Sequence, residues 1–334
     1  MTDSDTVRVG EIVAGDIEEL NYAVWPWELD MSQLSLGQLD AHLNFVQLDG
    51  ILVNRERWSH RVFATGATPP GYLALVGPRT ERTFKWCGDE IDSLHVACEF
   101  GKTATEFLAP DRSDHWVLLV PLDRITDRIG EAALADAARQ RHVLPCDPVI
   151  SRAIRARVEA VHGTFGRQED LLDDRRLVDA AVSDLLDSVG TLLIGAHPEG
   201  GPSTPRKRYL ACRRALHLVD QLTHRISVLE LAKAVGVSRR VLERGFHETV
   251  GVSPQQYMRW HRLNCLHREL RAGRSPNATV TQLGARWGFS ELGRMAGEYR
   301  QLFGELPSET LDRDRVLPNT RLVDALAEAP ATAP

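Results

Sequence analysis

The residues best placed to do chemistry in this chain are arginines. Arg239, Arg240, Glu243, Arg244 and His247 crowd into one short stretch, with Ser238 just ahead of them. Arg240 and Arg244 are four apart, one turn of a helix, so their guanidinium forks share a face. Such a fork pairs bidentately with the edge of guanine or with a phosphate. A sparser set follows in Ser290, Leu292, Gly293, Arg294, Gly297 and Arg300. Bond-making chemistry has no comparable support. There is no glycine-rich phosphate loop, nucleophile elbow or His-Glu-x-x-His pattern, and acidic pairs such as Asp89-Glu90 and Asp173-Asp174 are ordinary in a chain 26% charged. The expectation is recognition of a polyanion, with no enzyme activity, cofactor or metal.

Both sets sit in a repeat. Val228 to Pro254 and Val280 to Pro307 match at Leu231/Leu283, Gly236/Gly288, Ser238/Ser290, Leu242/Met295, Phe246/Tyr299, Gly251/Gly304 and Pro254/Pro307. The offset is 52 up to the serine and 53 after it, so the second copy carries one extra residue. In each copy an apolar stripe at helical spacing ends at a glycine, which permits the left-handed exit from a helix. A serine follows as candidate N-cap of the next helix. Ala232 and Gly284 are small where two helices must cross. Each copy therefore reads as a helix-turn-helix, over 228–250 and 280–303.

From Lys207 to Leu311 the chain resembles the DNA-binding domain of the AraC/XylS family of bacterial transcription regulators, two helix-turn-helix units joined by a long helix, here Pro254 to Arg271. The segment GFSELGRMAGEYRQLFGELPSETL carries the most specific part of the likeness, with a fainter similarity to regulators of ethanolamine operons. The resemblance implies double-stranded operator DNA, a small-molecule effector and RNA polymerase as partners. It places Ser238, Arg239, Arg240, Glu243, Arg244 and His247 on the first reading helix, and Ser290, Leu292, Gly293, Arg294, Gly297 and Arg300 on the second. Leu292, Gly293, Arg294 and Gly297 fall where bases are approached, yet only Arg294 offers a hydrogen-bonding side chain. The second unit is therefore expected to anchor through phosphates.

Charge points the same way. Residues 206–316 carry 20 Lys and Arg against 11 Asp and Glu, whereas residues 1–205 carry 19 against 33. A chain of net charge −6 thus holds a basic C-terminal third, as phosphate binding requires. At 334 residues two domains are expected. Cys87, Cys98, Cys146, Cys212 and Cys265 show neither metal-ligand spacing nor a disulfide framework, which suits a reducing cytoplasm. The acidic start lacks a signal peptide's apolar core, and no apolar run approaches a membrane span.

The expected class is α+β, with boundaries at 1–147, 148–196, 197–208, 209–316 and 317–334. Residues 1–147 read as a β-rich sensor, from short runs broken by Gly and Pro: LNFVQLDGILVN, RVFATG, GYLALVG, HVACEF and HWVLLVP. Residues 148–196 turn helical, with stripes at Ile150, Ile154, Val158, Val161 and at Leu177, Ala181, Leu185, Val189, Leu192. Residues 197–208, rich in Gly, Pro and Ser, read as a linker. The Ala- and Pro-rich tail, 317–334, reads as disordered. The family likeness implies a cupin-like barrel for the sensor and a homodimer held by 148–196.

A metal-binding cupin would need clustered histidines, but His42, His60, His95 and His115 are scattered. Aromatic residues are the other ligand candidates: Trp25, Trp27, Trp58 and Trp86 could line an apolar pocket or cage a cationic amine, or simply fill a core. The function read from the sequence is a cytoplasmic, nucleoid-associated, ligand-responsive activator. The alternative is a constitutive repressor or DNA-binding protein whose N-terminal half only dimerises.

Overall fold

The computed structural model describes residues 7–24, 27–101, 104–138, 143–145, 147–195, 207–221, 226–272, 279–313 and 321–322. The run LNFVQLDGILVN is a hairpin of β3 (Ala41–Leu48) and β4 (Ile51–Trp58), with Leu48 opposite Ile51. Asp49 and Gly50 form its turn at φ of 49° and 81°. A two-residue hairpin needs such a left-handed pair to match the strand twist, and Asp-Gly supplies it.

Two sheets face each other. The larger adds β1 (Val7–Ala14), β6 (Tyr72–Pro78), β9 (His95–Phe100), β11 (Ser113–Pro121) and β12 (Val143–Pro145), in the order β1-β3-β4-β11-β6-β9-β12. The smaller runs β2-β5-β10-β7-β8, from β2 (Glu28–Gln33), β5 (Val62–Ala67), β7 (Phe84–Trp86), β8 (Asp89–Ile91) and β10 (Ala104–Ala109). Neither sheet closes on itself among the described residues, so the barrel is an open two-sheet sandwich. Strand alternation sorts the side chains. On β4, Leu52 and Trp58 join the core between the sheets, while Ile51 and Val53 point to the helices behind.

Those helices are α2 (Leu122–Ile129), α3 (Glu131–Ala138), α4 (Pro148–Phe165) and α5 (Arg175–Gly195), with α1 (Ile17–Ala23) at the edge beside β1 and β2. Ile154, Val158, Leu185, Val189 and Leu192 are buried with Val46, Val53 and Leu75 of the larger sheet. The α5 stripe read as a partner surface is thus consumed within the chain, because the back of the sheet needs an apolar cover.

The C-terminal domain comprises α6 (Lys207–Gln221), α7 (Val228–Ala234), α8 (Arg239–Thr249), α9 (Pro254–Ala272), α10 (Val280–Arg286), α11 (Leu292–Phe303) and α12 (Pro307–Asp312). It covers the outer face of the smaller sheet: Leu34, Phe63 and Leu108 share a buried cluster with Leu242, Phe246 and Tyr257. No helix of the described residues is long and apolar enough to cross a membrane. Residues 197–206 of the expected linker and most of the expected tail lie outside the described residues. Within that tail, however, Leu322 is buried and Arg321 lies 5.2 Å over the Tyr22 ring, so disorder does not hold there.

Candidate nucleic-acid interface

The two repeats fold alike. α7 and α10 each open on a capping box, Ser227 with Glu230 and Thr279 with Gln282. Each ends in a glycine at positive φ, 75° at Gly236 and 73° at Gly288. The exits are bonded identically: Val237 N donates to Ala232 O at 3.0 Å, and Phe289 N to Gly284 O at 2.9 Å. Gly284 must be small, since a Cβ there would stand 3.1 Å from Leu292 Cδ2 and from Met295 Cε.

The reading helices differ at their starts. Ser238 caps α8 by accepting from Val241 N at 3.3 Å. In the second unit the extra residue shifts this position, so Glu291 is the N-cap without a side-chain cap bond, and Ser290 stands exposed one residue earlier. Along α8, Arg239, Arg240, Arg244 and His247 are exposed, opposite buried Leu242 and Phe246. Half-buried Glu243 accepts from Arg239 Nε at 2.8 Å. Along α11, Gly293, Arg294, Gly297 and Arg300 are exposed. Leu292 is not: it packs inward against the apolar core. Arg294 Nε donates to Glu298 Oε1 at 3.0 Å, and the same carboxylate takes Arg259 of α9.

Four further cations were not singled out from the sequence. Lys207 and Arg208, at the start of α6, line one open groove with Arg240 and Arg244. Arg259 and Arg262 of α9 line another with Arg239. Only the regional charge excess signalled them, because they lie outside the repeat. Together the side chains form a polycationic surface suited to a phosphate backbone, with fork-shaped donors at its centre.

The C-terminal ends of both reading helices are held by the sandwich. At α8, Lys85 Nζ donates to Glu248 O, and Arg61 Nη1 to Gly251 O at 3.3 Å. At α11, Gly37 N donates to Gln301 O at 2.9 Å and Gln33 Nε2 to Leu302 O at 2.7 Å. The first turns, where such helices contact bases, stay exposed.

Residues 231–313 match the family model described as a helix-turn-helix domain. The chain is 38% identical over 86 residues to the probable thc operon regulatory protein of Rhodococcus erythropolis, covering 26% of each chain. It is 36% identical over 97 residues to XylDLEGF operon transcriptional activator 3 of Pseudomonas putida, covering 29% of each. A crystal structure of a probable AraC family transcriptional regulator from Rhodopseudomonas palustris is 35% identical, over 32% of this chain and 99% of that one, with a TM-score of 0.30. Residues 231–313 form an AraC/XylS-type helix-turn-helix domain. The match spans a little over a quarter of the two curated relatives, 26% and 29% of their lengths, and these are named as regulators of transcription, not as enzymes.

In the sandwich, three of the four chosen tryptophans converge. Trp27, Trp58 and Trp86 line one cavity between the sheets with Met31, Phe107 and Val76; Trp25 lies outside the described residues. Its polar members are Glu56, Thr105 and His115. Asn54 Nδ2 donates to Glu56 Oε1 at 2.6 Å, and His115 Nε2 lies 3.5 Å from Glu56 Oε2. His42, His60 and His95 lie elsewhere, paired with Glu11, Ser59 and Asp92 respectively. Burial pushes the thiols of Cys87, Cys212 and Cys265 up to about 12, which leaves them poor nucleophiles.

This AraC/XylS-type domain is clamped to the sandwich through α9. Arg271 Nε meets Asp16 Oδ2 at 3.1 Å and Arg271 Nη2 meets Glu19 at 2.8 Å, while Arg268 pairs with Glu18 at 3.3 Å and Asp30 at 2.5 Å. His267 lies 3.8 Å from Asp16 and shares a 2.6 Å hydrogen bond with Tyr299 OH. Burial works against the charged Asp16, but His267, the Glu19 amide and Arg271 outweigh it and hold the carboxyl below its ordinary value.

Proposed function

We propose that this chain is a ligand-responsive transcription activator that binds operator DNA as a homodimer in the cytoplasm and recruits RNA polymerase. Its N-terminal half acts as a cupin-like sensor. Base readout falls to Arg240, Glu243 and Arg244 of α8, flanked by phosphate contacts from Ser238, Arg239, His247, Lys207 and Arg208. The second helix anchors on phosphates through Arg294 and Arg300, with Gly293 and Gly297 allowing close approach. One observation carries the ligand response. On β2, Leu29 and Met31 wall the inner cavity, while Asp30 between them grips Arg268 and Gln33 is bonded to Asn264. A molecule entering the cavity therefore acts on the strand that holds the linker helix. It shifts the domain arrangement only as far as it binds one arrangement more tightly than the other.

Site selection from random duplexes, followed by binding titrations at several salt concentrations, tests the reading. The expected outcome is one enriched motif, bound 10³-fold or more above random DNA in order of magnitude, with affinity falling steeply as salt rises. Enrichment of no motif would overturn sequence-specific regulation.

A further inference from the structure

Resting on the reading of the sandwich as a sensor, we propose that the cavity between its sheets takes a small uncharged organic molecule with an aromatic or aliphatic body and one hydrogen-bond acceptor. Trp58 Nε1 is the donor that meets this acceptor.

The lining is apolar apart from Glu56, Thr105 and His115, and no Lys or Arg is among the residues that line it. A carboxylate effector would lie beside Glu56 with no cation to replace its lost hydration, a costly arrangement in a dry site. A cationic effector would find aromatic faces, but the Glu56 carboxylate is already engaged by Asn54 and approached by His115. Neutral chemistry fits the rest of the wall, namely Trp27, Trp86, Phe107 and Met31.

Two atoms say what else the molecule must carry. Trp58 and His115 are both buried, and Trp58 Nε1 and His115 Nδ1 have no hydrogen-bond partner among the described residues. Indole N–H only donates, and a buried donor left unmet is costly. The two rings are in edge-to-face contact, 4.9 Å apart at 89°, so both belong to one corner of the wall, and an acceptor oxygen at that corner serves the indole N–H.

The cavity as it stands is about 40 Å³, far below the roughly 300 Å³ at which drug-sized sites begin. Binding must therefore push a wall outward. β4, β5, β6, β10 and β11 each have a strand on both sides, whereas β2 is an edge strand whose one strand neighbour is β5. The wall that yields is the one carrying Val24, Trp27, Leu29 and Met31, the segment that also grips α9.

Calorimetric titration of the full chain with benzyl alcohol, benzoate and benzylammonium varies charge on one ring. We expect saturable binding of benzyl alcohol, about tenfold or more tighter than either ion. Trp58→Phe keeps an aromatic face, though a smaller one, and removes the donor, and should weaken benzyl alcohol about three- to tenfold. Ala64→Met should block binding by filling the cavity. Operator binding is measured on the same samples. Loss of DNA binding in the unmodified chain would count against the regulator reading alone. With DNA binding intact, an ion bound as tightly as the alcohol, no saturable alcohol binding, or an unchanged Trp58→Phe affinity overturns the ligand class.

Discussion

Gln33 and Asn264 are hydrogen-bonded to each other twice across the domain boundary. Gln33 N donates to Asn264 Oδ1 at 2.9 Å, and Asn264 Nδ2 donates to Gln33 O at 3.1 Å. A side-chain amide carries one donor and one acceptor side by side, so Asn264 serves the edge of β2 as a neighbouring strand would. Asn264→Leu keeps the volume and strands two buried backbone groups, each costing about 1–3 kcal/mol. The Gln33 amide should then exchange with solvent at least tenfold faster, as read by hydrogen-exchange mass spectrometry. Unchanged protection would mean that apolar packing alone holds the domains together.

The contents of 148–196 separate two kinds of apolar residue. Leu185 and Val189 are buried under the sheet, whereas Val149 and Ile194 are 64% and 63% exposed at adjoining ends of α4 and α5, where a Cβ on Gly195 would stand 3.2 Å from Ile150 Cδ1. If the chain dimerises through these helices, the exposed pair is the contact. Val149→Asp with Ile194→Asp should then give monomers with an almost unchanged melting temperature, whereas Leu185→Asp should unfold the sensor. A double variant that sediments as an intact dimer would move the interface elsewhere.

The helix-turn-helix repeat was legible because its constraints are local. Gly236 and Gly288 must turn left-handed, Ala232 and Gly284 must be small, and such needs leave marks a few residues apart. The Asp-Gly turn and the strands around it were readable for the same reason. What depends on distant partners was not. β1, β2, β7, β8, β10 and β12 went unread, being short or having no clear apolar alternation. Leu185 and Val189 showed an apolar stripe but not whether it meets this chain or another. The half-burial of Leu292 against the core beside Gly284 leaves no mark in the sequence either. Glu56 carried no mark in the sequence and His115 stood only as one of four scattered histidines, since only the pairing of β4 with β11 makes them neighbours.

Two buried histidines set an acid limit on stability. Burial, aided by Arg55, lowers His162 to about 4, and burial likewise lowers His261 to about 4. Both take up a proton more readily when unfolded, near the ordinary value of 6.5. Their contribution is complete above about pH 6.5 and is lost as pH falls towards 4, with a slope of at most about 1.4 kcal/mol per pH unit for each. Urea midpoints should therefore drop between pH 7 and pH 4.5. His162→Gln with His261→Gln should flatten that decline, and an equally steep profile in the double variant would assign it to other groups.

Arg244 and Lys207 line one groove but are expected to do different work. Arg244 projects from the reading face, so Arg244→Ala should cost about 1–3 kcal/mol and relax one base position. Lys207 lies on the flanking helix, so Lys207→Ala should weaken all sequences alike and reduce the salt slope by about one. Competition titrations with specific and nonspecific duplexes separate the outcomes. An equal loss on every sequence for Arg244→Ala would reassign it to the backbone.

Gly293 and Gly297 offer a test in which stability and binding move in opposite directions. Both are exposed on α11, and a Cβ added at either would meet nothing within 4 Å in the free protein. Glycine inside a helix costs up to about 1 kcal/mol relative to alanine, so Gly293→Ala and Gly297→Ala should each raise stability by that order. Two such residues on an exposed reading face make sense if DNA comes close enough to exclude a methyl group. Operator affinity should then fall severalfold for Gly297→Ala while the melting temperature rises. Because that approach is to backbone, base substitutions beneath α11 should be tolerated better than those beneath Arg240 and Arg244. Unchanged affinity in the alanine variants, together with base requirements of equal depth under both helices, would show that the second helix reads sequence as the first does.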